Sequence, residues 1–120
     1  MTRPLVVKVT CGAEDAERCN QAFTVAASAA AAGADVSLWL TGEAAWFGVP
    51  GRAEGFALPL AAPLADLLDT VLTSGRVTVC SQCAARRSID EADVLPGVRI
   101  AGAAVFTEEV LRDGVQGLVY

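Results

Sequence analysis

The sequence contains no histidine among its 120 residues. Without an imidazole the chain cannot form a Ser-His-Asp triad, a Cys-His protease pair or a histidine-ligated zinc site. Any proton transfer would have to use carboxylates, the thiols, Tyr120 or water. The missing residue type therefore excludes several large classes of hydrolase and metalloenzyme.

Long apolar runs and basic clusters are also scarce. The longest uncharged run, residues 19–34, is shorter than the roughly 20 apolar residues that a membrane-spanning helix needs. The first residues do not resemble a secretory signal peptide. The net charge is −5, and the basic residues cluster only at Arg86-Arg87. We therefore expect no nucleic-acid partner, no membrane association and a cytoplasmic location, where thiols stay reduced.

Glycine-rich nucleotide-binding patterns are missing as well. Gly12 follows the first apolar run alone, without a Gly-x-Gly-x-x-Gly or phosphate-loop pattern. A composition of 53% hydrophobic and 19% charged residues is typical of a globular protein. We expect one domain over residues 1–120 and no cofactor.

Apolar runs and amphipathic stretches alternate along the chain. Short, β-branched runs predict strands at residues 5–10, 35–40, 76–79, 98–100 and 115–120. Amphipathic or alanine-rich patterns predict helices at residues 14–32, 64–73, 81–88 and 103–112, with a short helical turn at 41–47 and a long connection at 51–63. This alternation predicts an α/β domain whose mainly parallel sheet is covered on both faces.

The most informative motif is Cys80-Ser81-Gln82-Cys83, between a predicted strand and a predicted helix. Free backbone N–H groups at a helix start favour a thiolate, and the thiolate is the nucleophilic form of cysteine. In a reducing compartment such a pair is more often catalytic, redox-active or metal-binding than structural. We predict that Cys80 is the reactive thiol and that Cys83 resolves or shares its sulfur, the alternative for both being simple packing.

Two other residues are weaker candidates for substrate binding. Cys11 follows the first strand, so its sulfur would share an edge of the sheet with Cys80 if their strands were neighbours. Arg86 could hold an anionic sulfur donor, although it could equally be part of a solvated face. Arg18 has the same two interpretations, the simpler being an intrahelical pair with Glu14. The spacing of Cys11 and Cys19 is not that of zinc ligands, so we expect no metal site and assign Cys19 to the core.

The chain resembles the DsrE/DsrF-like family of small sulfur-relay proteins over nearly its whole length. The most similar segment is the cysteine loop, and the resemblance includes a Leu-Thr-Gly-Glu turn; the matching segments are residues 79–86, 10–18, 32–43, 95–98 and 101–104. The resemblance implies a three-layer α/β/α fold with a five-stranded sheet. It also implies that Cys80 carries a persulfide and that the chain forms homo-oligomers, often trimers or hexamers.

These observations support three hypotheses. The first is an intracellular sulfur-transfer protein, a sulfurtransferase or a sulfur carrier, in which Cys80 accepts sulfur from a donor and passes it to an acceptor protein or small thiol. The second is a non-catalytic oligomeric binding protein whose cysteines are packed or bind metal. The third is a dithiol redox protein that uses Cys80 and Cys83.

Overall fold

The computed structural model describes residues 2–120 and contains five strands and four α-helices. In chain order the strands β1 to β5 are Pro4–Val9, Asp35–Leu40, Arg76–Cys80, Val98–Ala101 and Gln116–Val119. The helices α1 to α4 are Ala16–Ala31, Leu64–Ser74, Ser81–Arg86 and Ala103–Leu111. The strands form one all-parallel sheet in the order β4-β3-β2-β1-β5. The predicted three-layer α/β fold is thereby confirmed.

The strand order determines which face each helix covers. The chain steps in one direction from β1 to β4, then returns across the sheet to β5. Because parallel crossovers are right-handed, the helices of the forward steps lie on one face and α4 lies on the other. In agreement, α1 and α2 pack against each other and against the central strands.

The face under α1 and α2 holds the apolar core. The strands contribute β-branched and leucine side chains that are fully buried: Val7, Val9, Val36, Leu38, Leu40, Val77 and Val79. Small residues let α1 approach the sheet closely, and its buried residues are Cys19, Ala22, Phe23, Ala26, Ala27 and Ala30. Burying Phe23 alone contributes about 2–3 kcal/mol of transfer free energy. The predicted assignment of Cys19 to the core is correct.

The face under α4 is polar at its centre. Glu109 of α4 is only 8% exposed, and its carboxylate accepts hydrogen bonds from Ser37 Oγ at 2.6 Å and Trp39 Nε1 at 3.0 Å. Arg99 of β4 completes the cluster by an ion pair with the same carboxylate and a 2.6 Å hydrogen bond to Thr78 Oγ1. Residues from β2, β3, β4 and α4 therefore meet at one buried charge.

The predicted boundaries differ from the structure only at element ends. The predicted first helix begins two residues early, because residues 13–15 form a separate 3-10 turn before α1. Between α3 and β4 the chain forms a 3-10 turn over Glu91–Asp93, which the Asp90 side chain caps. No helix within residues 2–120 is long and apolar enough to cross a membrane.

The Glu109 cluster makes a prediction about stability. Burial raises the pKa of Glu109, but hydrogen bonds from Ser37, Trp39 and Arg99 and the Arg99 charge outweigh it, so the pKa lies below its ordinary value of 4.5. Because the folded pKa is the lower one, the cluster stabilises the fold above pH 4.5 and loses this contribution as the pH falls through the folded value.

We expect Glu109→Gln to lower the free energy of unfolding by about 2–4 kcal/mol, because it leaves the Arg99 charge without its partner. It should also flatten the acid dependence of stability. Glu108→Gln, at an exposed neighbouring position, is the control and should change stability by less than about 0.5 kcal/mol. Urea unfolding followed by tryptophan fluorescence measures both, and equal effects of the two substitutions would contradict the assignment.

Candidate functional site

The Cys-x-x-Cys motif lies where β3 meets α3. The β-branched run Val77-Thr78-Val79 forms the strand, and the chain remains extended at Cys80, the residue before α3. The next residues, Ser81–Arg86, form a helix of six residues. So short a helix has a weak dipole, and the individual N–H groups of its first turn become the important donors.

Cys80 is partly exposed, and its sulfur is surrounded by donors. Burial raises the pKa of the Cys80 thiol. Hydrogen bonds from the backbone N–H and the side chain of Cys83, a further bond from the Gln82 N–H, and the positive charge of Lys8 together lower the pKa below its ordinary value of 9.0. The environment therefore favours the thiolate, which is the form that attacks sulfur.

Cys83 lies one helical turn further on and is buried, with 9% of its surface exposed. Cys80 and Cys83 approach to within 3.6 Å. The Cys83 sulfur also accepts a hydrogen bond from the backbone N–H of Gly42 at 3.2 Å. This bond joins the turn after β2 to the motif after β3.

Glycine is required at position 42 for two reasons. The φ angle of Gly42 is +55°, which side chains other than glycine rarely adopt. A Cβ atom at this position would also lie 2.6 Å from the carbonyl oxygen of Thr10. Gly42 therefore lies in close contact with the turn after β1 while its amide donates to the Cys83 sulfur in the motif after β3.

An ion pair fastens the same turn to α3. Arg87 donates to Glu43 at 2.8 Å and to the carbonyl oxygen of Cys83 at 3.1 Å. Arg86, which the sequence suggested as a substrate ligand, is exposed. The arginine that contacts the motif is therefore Arg87, and the role of Arg86 in substrate binding stays a prediction.

Cys11 follows β1, which is not a neighbour of the strand that ends at Cys80. Strand β2 lies between β1 and β3, so the strand pairing on which the expected proximity of the two sulfurs depended does not occur, and a role of Cys11 in substrate binding stays a prediction. Cys11 is 5% exposed, and its thiol donates to the carbonyl oxygen of Asp15 at 3.7 Å. Arg18 forms an ion pair with Asp15, whereas the sequence suggested a pair with Glu14. No group of three or more potential metal ligands lies together within residues 2–120.

Sequence reasoning missed Gly42, Glu43 and Lys8 as neighbours of the cysteines. The Leu-Thr-Gly-Glu turn at residues 40–43 was visible as a pattern, but its contact with Cys83 depends on the pairing of β2 with β3. Lys8 lies on a third strand, and nothing in its local sequence links it to Cys80.

Comparison with known proteins agrees with this architecture. The sequence model of the DsrE/DsrF-like family matches residues 5–115. No functionally curated protein matches the chain in sequence. The structure is similar to that of the YchN protein from E. coli, with a TM-score of 0.79, 17% identity and 100% of both chains covered. It is also similar to MTH1491, a protein of unknown function from Methanobacterium thermoautotrophicum, with a TM-score of 0.71, 10% identity and 100% of both chains covered. At these identities the two structures show a shared fold alone.

The environments of the cysteines predict unequal reactivity. Burial, followed by the charges of Asp15 and Glu14, raises the pKa of Cys11, and burial above all raises the pKa of Cys19 to about 12. We expect iodoacetamide to label Cys80 first in the folded protein, with half-maximal rate below pH 9.0, while Cys11 and Cys19 react only after unfolding.

Peptide mass spectrometry after timed alkylation measures this order. Cys80→Ser should remove the rapidly labelled peptide, and urea should make all remaining thiols reactive. Labelling of Cys19 in the folded protein at the rate of Cys80 would contradict the assignment.

Proposed function

Because the chain belongs to the DsrE/DsrF-like family, we propose that it is a sulfur-transfer protein that carries a sulfane sulfur as a persulfide on Cys80. Family membership suggests sulfur relay in general. The observation that supports the specific carrier is the partly exposed Cys80 sulfur, which lies at a strand end among hydrogen-bond donors that lower its pKa. We place this activity in the cytoplasm, where all four cysteines would stay free, as they are in the structure.

The first step is acceptance of sulfur from a donor persulfide. The Cys80 thiolate attacks the outer sulfur of R–S–SH, a new S–S bond forms at Cys80, and the donor's S–S bond breaks. The donor leaves as the thiolate R–S⁻, so no net oxidation or reduction occurs. The N–H groups of Gln82 and Cys83, which face the Cys80 sulfur, would stabilise the negative charge that this exchange moves through the site.

The second step is release, for which the site offers two routes. In the first, an acceptor thiolate on another protein or a small thiol attacks the outer sulfur and regenerates the Cys80 thiolate. In the second, the Cys83 thiolate attacks the Cys80 sulfur, expels hydrosulfide and leaves a Cys80–Cys83 disulfide. The two cysteines are then oxidised, the sulfane sulfur is reduced, and a small dithiol must reduce the disulfide.

Two contacts support Cys83 as the resolving thiol. The residue lies within 3.6 Å of Cys80, close enough for attack without rearrangement of the strand. The Gly42 amide already donates to its sulfur at 3.2 Å, and the same bond would stabilise a Cys83 thiolate. The same proximity favours a second candidate function, dithiol redox exchange without sulfur transfer.

Intact mass spectrometry after incubation with a small persulfide donor tests the proposal. We expect wild-type protein to gain the mass of one sulfur atom and Cys80→Ser to gain none. Cys83→Ser should gain the sulfur and retain it longer, because the disulfide route is closed. In buffer without an acceptor protein or small thiol, this variant should release no hydrosulfide.

The outcomes separate the candidate functions. Absence of sulfur uptake by the wild type, or undiminished uptake by Cys80→Ser, would refute sulfur transfer. A Cys80–Cys83 disulfide with a measurable reduction potential and no sulfur uptake would instead establish dithiol redox exchange.

We also propose that the chain assembles into a homo-oligomer, a trimer or a hexamer. Strand β5 forms an edge of the sheet, and its Leu118 and Val119 side chains are 39% and 65% exposed. An edge strand with exposed apolar side chains is commonly covered by another chain.

Size-exclusion chromatography with light scattering measures the assembly. Val119→Lys should shift the protein toward monomer, whereas Thr73→Lys, which adds the same charge at an exposed position on α2, should not. A monomeric wild type would contradict the proposal.

A further inference from the structure

Lys8 is the only lysine of the chain and lies on an interior strand of the sheet. It belongs to β1, which pairs with β2 on one side and β5 on the other. Its neighbours Val7 and Val9 are fully buried in the core under α1. Since side chains alternate along a strand, Lys8 projects from the opposite face, the one that α4 covers. An ammonium group in this position is unusual enough to need an explanation.

The strand register puts Lys8 on the same face as Cys80. Lys8 is paired with Trp39, and Trp39 is paired with Thr78, two residues before Cys80 on β3. Two strand spacings combined with two residues along β3 put the Cα atoms of Lys8 and Cys80 about 12 Å apart. A lysine side chain extended along the face covers much of that distance.

A contact with α4 holds the ammonium over this face. The Nζ atom of Lys8 lies 4.9 Å from the centre of the Phe106 ring, and the other neighbour of that ring is Trp39, in an edge contact at 5.3 Å. The start of α4 lies directly beside the motif, because a Cβ atom at Gly102 would be 3.0 Å from Ser81 Oγ. The Phe106 ring, which also contacts Trp39 of β2, therefore holds the Lys8 charge on the face of the sheet to which Cys80 belongs.

Lys8 has no carboxylate partner among the residues that the structure describes. None of the ion pairs formed within residues 2–120 includes it. The buried carboxylate on the same face, Glu109, is occupied by Arg99, Ser37 and Trp39. A half-buried ammonium without a counter-charge is costly unless an anion comes to it.

We propose that Lys8 is a further catalytic residue, whose ammonium is the counter-ion of the sulfur anion at Cys80, first the thiolate and then the outer sulfur of the persulfide. The assignment to the persulfide rests on the proposed sulfur-transfer function. The positive charge of Lys8 makes an anionic sulfane species the preferred donor, because the outer sulfur of the donor approaches this charge. In this role Lys8 acts only through its charge and transfers no proton.

The electrostatics at Cys80 agree with this role. After burial, which raises the pKa of Cys80, and the hydrogen bonds from Cys83 and Gln82, which lower it, the Lys8 charge is the next influence that lowers it. The other ionisable groups facing this region are the Arg99–Glu109 pair, Cys83 and Tyr120, whose backbone N–H donates to the Lys8 carbonyl.

The test compares three substitutions in otherwise intact protein. Lys8→Gln removes the charge, Lys8→Arg keeps it, and Arg112→Gln removes one exposed charge near the opposite end of the sheet. The first readout is the pH at which alkylation of Cys80 reaches half its maximal rate. We expect Lys8→Gln to raise this pH by ~0.5 unit or more, and Lys8→Arg and Arg112→Gln to leave it near the wild-type value.

The second readout is the rate of sulfur uptake from a persulfide donor at neutral pH, which Lys8→Gln should slow by about threefold or more. Thermal unfolding confirms that each variant is folded. An unchanged alkylation midpoint in folded Lys8→Gln, or an equal shift in Arg112→Gln, would overturn the inference. If wild-type protein takes up no sulfur, the proposed function fails, while the alkylation midpoints still decide the role of Lys8 at the thiolate.

Discussion

In a parallel sheet every strand ends at the same edge, and this constraint creates the site. The turn after β2 and the turn after β3 are forced together because their strands are hydrogen-bonded neighbours in register. The contact is close enough for the Gly42 amide to donate to the Cys83 sulfur. On its other side, the turn after β2 lies so close to Thr10 in the turn after β1 that no Cβ atom fits at position 42. The Arg87–Glu43 pair then holds the two turns in this arrangement. The two cysteines are thus positioned by the pairing of β2 and β3 and not only by the four-residue motif that contains them.

The two faces of the sheet have different tasks. The face under α1 and α2 is apolar and supplies most of the burial on which stability depends. The face under α4 contains Glu109, Arg99 and Lys8, which an apolar layer could not accommodate. Because the chain crosses back to form β5, a single helix covers this second face, and polar groups can remain partly hydrated beside Cys80. The buried and half-buried charges of the sheet therefore lie on the side that α4 covers.

Local patterns predicted most of the fold. The five strands, the four helices and the position of Cys80 between a strand and a helix all followed from β-branched runs, amphipathic periodicity and the Cys-x-x-Cys motif. What could not be predicted depends on strand order. The separation of Cys11 and Lys8 from Cys80 depends on the position of β2 between β1 and β3, and no local sequence pattern shows this strand order. The partner of Arg87 and the burial of Glu109 likewise arise from contacts between residues more than 40 positions apart.

The unequal burial of the two sulfurs imposes an order of events. Cys80 is the sulfur that a large molecule can touch, whereas Cys83 is enclosed by the Gly42 turn and its own helix. A molecule that arrives from outside therefore meets Cys80 before Cys83. If the chain carries sulfur as proposed, bulky oxidants and protein partners would contact the outer thiol, and the inner thiol would react only with an intermediate already attached to Cys80.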